Sequence, residues 1–244
     1  MTTVLAFLMI GICLAVHELG HAFAMQKHGV KISEICLFGI AGPKILIAKS
    51  EKIFGGAEIT VRPFFPLGAF VRPDKDISSC DKKAQVDINS AGISANIQFG
   101  LLMFAICFCV LQKYTALLLT LYMSVVFYLV VNRFKAVTII TLGIITAAYT
   151  IKVFIYEPVS IGSIVTIVSL VKNTSPNALL IYTGAISISL GIFNAAPFFG
   201  LDGYRVLDLY LPQKTRLAVS VVAIVSILAV SVLAVWNDIL LLFQ

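Results

Sequence analysis

Six long apolar runs, at 3–25, 88–111, 115–131, 136–155, 178–196 and 217–236, restrict what this chain can become. A helix needs about 20 apolar residues to cross the hydrocarbon core of a bilayer. Most of the six approach that length, with 115–131 at the short limit. Only 12% of the residues are charged and 59% are hydrophobic, against roughly 25% charged in a soluble domain. The expected fold is an α-helical polytopic membrane protein with about six transmembrane helices. The apolar N-terminus carries no basic residue before HELGH interrupts it, so it reads as a retained span and not as a cleaved signal.

Two regions depart from that pattern. Residues 31–87 hold most of the charges, with short β-branched and aromatic runs (ISEICLFGI, KILIA, AEITVRP, GAFVRP) punctuated by Gly and Pro. Such runs read as strands and turns, so a small membrane-associated β-hairpin region is expected there. The segment 157–172 is too short to span comfortably and reads as interfacial or re-entrant. Residues 113–156 supply two further spans. With His17, Glu18 and His21 toward the cytoplasmic end of the first span, 15 Lys and Arg fall on that side and 3 on the other, the positive-inside bias. No basic cluster with interleaved aromatics suggests nucleic acid. Five scattered cysteines without CxxC spacing argue against disulfides or a thiolate zinc site.

The first span carries AVHELGHAFA at 15–24. Ionisable groups inside a span are expensive unless they have partners or a function. His17 and His21, four residues apart, share one helix face and can offer two imidazoles to one cation. Glu18 projects about 100° away from His17, toward a water that such an ion would polarise. A zinc ion with three protein ligands keeps a fourth position open for water. His28, beside Lys27, reads as an interfacial residue.

A third ligand must come from few acids. Asp202 stands in NAAPFFGLDGYRVL at 194–207, where Pro197 and Gly200 interrupt the helical pattern, as membrane proteins tolerate where the chain lines a cavity. A competing role is an N-cap for the following helix.

HELGH followed downstream by Asn194-Ala-Ala-Pro197 and Leu201-Asp202-Gly203 resembles the site-2 protease family of intramembrane zinc metalloproteases, whose pattern is HExxH with N-x-x-P-x-x-x-L-D-G. PLGAFVRPD (66–74), SAGISAN (90–96) and EPVSIGSI (157–164) are similar to three further segments of its bacterial, anti-sigma-factor-cleaving branch. The resemblance implies one intramembrane metalloprotease domain over 1–244 in a prokaryotic cytoplasmic membrane with its active site toward the cytoplasm, while the stretch between the second and fifth spans has no room for that branch's PDZ domains. It implies His17, His21 and Asp202 as zinc ligands, Glu18 as general base, and Asn194 and Asn96 as substrate-binding residues. The implied partners are a transmembrane protein or peptide substrate and the lipid bilayer. Ile93 replaces the family's Pro, Glu157 its Gly, and Ala69-Phe70 its Gly-Tyr pair.

A cut substrate must be extended, and a sheet edge holds backbone without demanding a particular sequence. Residues 57–72 are therefore expected to form a hairpin whose edge pairs with unwound substrate. An inactive scaffold of the same family and a metal-ion carrier using the same ligands are the alternatives.

Overall fold

The computed structural model describes residues 2–49, 54–64, 68–156 and 176–242. Helix α1 covers Thr2–Lys27. Four strands follow: β1 Ile32–Phe38, β2 Ile45–Lys49, β3 Glu58–Val61 and β4 Phe70–Pro73. Then come α2 Lys82–Val110, α3 Tyr114–Tyr156, α4 Pro176–Asn194, α5 Asp202–Asp208 and α6 Gln213–Leu242. Asp81 starts α2 by accepting the Ala84 N–H at its N-cap.

Among the described residues three helices are long and apolar enough to cross a membrane: Val4–Lys27, Lys82–Val110 and Tyr114–Thr150. The protein is thus a mostly helical membrane protein with a small sheet, and three of the roughly six expected crossings meet the length and apolarity test. Part of the difference is that α4 is shorter, with an apolar stretch of Ala178–Asn194, and part lies in α3, which joins two of the expected runs. Straight, its 43 residues would extend about 65 Å, twice the thickness of the hydrocarbon core. The helix breaks at Phe134 (φ −129°, ψ 42°), between the runs 115–131 and 136–155. Before the break Ser124 meets Gln98 on α2. Just after it Lys135 meets Asp87, and farther on Thr146 reaches the Ile192 carbonyl near the end of α4. The segment 157–172 lies outside the described residues.

Outward-facing apolar side chains such as Leu118, Val137 and Val222 are more than half exposed, a distribution suited to lipid and not to water. Between helices, small residues permit close approach. A Cβ on Gly20 of α1 would lie 2.7 Å from the Ala91 carbonyl oxygen of α2, and one on Gly191 of α4 would lie 3.0 Å from that of Ile93. Backbone contact of this kind replaces the hydrophobic effect, which lipid cannot supply between helices.

The expected hairpin over 57–72 is corrected by the sheet order β2-β3-β1-β4. β3 runs parallel to β1 and β4 antiparallel to it, so β3 and β4 flank β1 and do not pair with each other. The reason is burial: Ile35 and Cys36 of β1 are fully covered and take the centre. The C-terminal part of α1 packs on this face through Ala22, Met25, Ile32, Ile35 and Ile88. At the sheet's polar end Glu34 is buried. Thr60 donates to it at 2.8 Å and Arg62 at 2.9 Å. Burial pushes its carboxyl pKa up, and these two donors outweigh that and hold it below the usual value.

Candidate metal centre

The packing of α1, α2 and α5 brings three ligand-type side chains to one point. His17 Nε2 lies 2.9 Å from Asp202 Oδ2. His21 Nε2 lies 3.1 Å from the same oxygen and 3.1 Å from His17 Nε2. All three residues are buried, and among the described residues they form the one group of three or more His, Cys, Asp or Glu side chains able to hold a metal ion. The two rings meet edge to face, with centroids 4.8 Å apart.

These separations suit a small cation. Zinc bonds of about 2.0–2.2 Å at tetrahedral angles place ligand atoms about 3.3–3.6 Å apart, a few tenths of an ångström beyond those seen. Two nitrogens and one carboxylate oxygen are a catalytic zinc donor set that leaves a fourth position open.

Asp202 reaches the site through its loop. α4 ends at Asn194, Gly200 takes φ +90°, and α5 begins at Asp202 itself. Gly203 lies against the Ala195 carbonyl so closely that a Cβ there would collide with it, and this contact seats the N-terminus of α5. The N-cap is Leu201, with no side-chain capping bond, so the capping role weighed for Asp202 is not what its carboxylate does. It faces the imidazoles instead, while Arg205 stands 3.9 Å from its other oxygen. Burial pushes the Asp202 carboxyl up. The charge and hydrogen bonds of His21 and His17 outweigh this and hold it well below the usual carboxylate range.

Each imidazole is also gripped from behind. His21 Nδ1 lies 2.7 Å from the Ile88 carbonyl, which accepts its N–H. His17 Nδ1 lies 3.1 Å from the Asn96 carboxamide. Ser187 of α4 donates to the Asn96 backbone carbonyl at 2.9 Å. Asn96 is fully buried and does not line the cavity in front of the ligands. In this structure the Asn96 side chain faces His17 and not the cavity where a substrate contact was expected. Asn194 does line that cavity, and its Nδ2 donates to Leu190 at 3.0 Å. His28 Nε2 lies within hydrogen-bond distance of Asp87 Oδ2, at 3.0 Å.

The cavity has a volume of about 630 Å³ and is lined by His17, Glu18, His21 and Asp202 together with Ala69, Phe70 and Val71 of the β4 region. β4 is an edge strand, so among the described residues one side of its backbone has no sheet partner. Sequence reasoning missed Gly92. A Cβ there would lie 2.5 Å from His21 Nε2 and 2.6 Å from His17 Nε2, so only glycine leaves the two rings their places. The signal was present in SAGISAN, because Gly92 and Asn96 stand four residues apart on one helix face. Ser187 and the Ile88 carbonyl carried no local signal.

The family model of peptidase family M50 matches residues 5–235. No curated protein matches the chain.

Proposed function

The chain belongs to peptidase family M50, the site-2 protease family of membrane metalloproteases, and from that premise we propose that it is a zinc-dependent endopeptidase. It hydrolyses a peptide bond in or next to a transmembrane segment of a substrate protein, near the cytoplasmic face of the membrane. The observation that carries this reading is the meeting of His17, His21 and Asp202 at one buried point beside a cavity that also holds Glu18.

His17, His21 and Asp202 would hold the ion. Zinc bound there supplies a Lewis acid for the substrate carbonyl and lowers the pKa of water toward about 7. Asn96 orients His17. In the structure Asn96 Nδ2 faces His17 Nδ1; a half-turn of the carboxamide would present its oxygen instead, to accept the Nδ1–H of the tautomer whose Nε2 faces the cation. The Ile88 carbonyl does the same for His21. Glu18 takes a proton from the attacking water and delivers it to the departing amine nitrogen. Asn194 keeps one N–H beyond its bond to Leu190, available to the carbonyl oxygen as charge develops on it.

A helical substrate hides its carbonyls in internal hydrogen bonds and must unwind to be cut. The free edge of β4, beside Glu18 and the ligands, pairs with the extended segment by strand addition. The excess of Lys and Arg on one side of the spans supports an active site toward the cytoplasm.

The test is Glu18→Gln in the purified full-length chain. It should keep its zinc and lose cleavage by about 10²–10⁴-fold, the usual contribution of general acid–base catalysis. Uncut substrates retained by this variant can then be identified by mass spectrometry. Loss of zinc from a folded Glu18→Gln protein would overturn the base assignment. Zinc without cleavage in the unaltered chain would make it a metal-bound scaffold.

A further inference from the structure

A second groove, of about 320 Å³, opens between α1, α2 and α3 and shares no lining residue with the metal-site cavity. Its floor is the close contact of Gly20 with Ala91 and Ala95. Its walls are aromatic: Phe23 and Tyr128 line it and are both more than half exposed. The inner end holds Gln98, whose amide is already engaged by Ser124 in both directions. From Gln98 to Asp87 the groove follows α2 for about 16 Å, all within a span-length helix.

The mouth is charged. Asp87 lies 3.0 Å from Lys135 through one oxygen, and 3.7 Å from Lys27 and 3.0 Å from His28 through the other. Two lysines thus share one carboxylate, and among the described residues no other acid lines the groove. Lys27 is largely exposed, while the Lys135 side chain is only 20% exposed. A positive charge left over at the edge of a bilayer calls for an anion, and the apolar slot beneath it calls for hydrocarbon.

We propose that this groove binds an anionic phospholipid, with its phosphate between Lys27 and Lys135 and one acyl chain along Phe23 and Tyr128. The lipid would bridge α1, α2 and α3 on the far side of the backbone contact between Gly20 and Ala91. It would therefore brace the helices that carry His17, His21 and Asn96.

The experiment uses the full chain, purified in neutral detergent and delipidated. It is then offered phosphatidylglycerol or phosphatidylcholine of the same acyl chains, and retention is read by native mass spectrometry. Phosphatidylglycerol should be retained in preference, and an excess of inorganic phosphate should not displace it. Juxtamembrane lysines contribute about 1 kcal/mol each toward anionic lipid. The Lys27→Gln/Lys135→Gln pair should therefore weaken retention about 30-fold, and Lys27→Gln alone about fivefold. Ser94→Phe, which fills the slot without changing charge, should reduce binding of both lipids. Equal retention of the two lipids by the unaltered chain would overturn the proposal. So would wild-type retention by folded Lys27→Gln together with Ser94→Phe, or full displacement by inorganic phosphate, which would mark a phosphate site without a lipid slot. None of these readouts depends on cleavage or on zinc.

Discussion

Replacing Gly92 by alanine should separate folding from metal binding. In a helix interior the substitution is ordinarily favourable by about 0.8–1.0 kcal/mol, because alanine loses less backbone entropy. Here the new methyl would stand 2.5 Å from His21 Nε2, 2.6 Å from His17 Nε2 and 2.7 Å from His17 Cε1, whereas ordinary contact begins at 3.4 Å. The shortfall is roughly 0.7–0.9 Å. Metal-ligand distances hold to about 0.2 Å, so the rings would have to move several times farther than the site tolerates. They are also held from behind by Ile88 and Asn96, so a shift breaks those bonds as well. Loss of an outer partner alone lowers metal affinity about 10–100-fold, so displacing both ligands should exceed about 100-fold. The assay is zinc content by elemental analysis and chelator competition on the detergent-solubilised variant, beside its thermal unfolding. The expected result is an intact fold with little zinc. Wild-type zinc affinity in folded Gly92→Ala would refute the placement of the ion between the two rings.

Asp202→Asn should lose zinc and cleavage together if the carboxylate is a ligand; retention of both would remove it from the ligand set. Asn96→Ala should weaken zinc about 10–100-fold, while Asn96→Asp, which still accepts the His17 Nδ1–H, should keep it. Unchanged zinc with lost cleavage in Asn96→Ala would return this residue to substrate binding. Proline cannot donate to a ladder, so proline at Ala69 or at Val71 should impair cleavage with zinc retained. Normal cleavage by both, with no crosslinks of alternating register between β4 and trapped substrate, would refute strand addition.

The elements that repeat along the sequence were legible in it. Hydrophobic run length marked α1, α2 and the two halves of α3, because the bilayer sets the length of a span. The i, i+4 spacing placed His17 and His21 on one face, because that is a property of any helix. A lone acid beside broken helix pattern singled out Asp202. Local rules could not give the strand order. Alternation marks strands but says nothing of partners, and the centre of the sheet went to β1, whose Ile35 found cover against α1 and whose Cys36 is buried as well. The role of Asn96 was likewise undetermined, since a carboxamide can face substrate or ligand equally well. Its contacts came only with the tertiary structure, where Ser187 of α4 bonds its backbone carbonyl and its side chain meets His17. The need for glycine at 92 also belongs to the tertiary structure. A helix alone would favour alanine there, and only the approach of α1, permitted by Gly20, puts two imidazoles where the methyl would be.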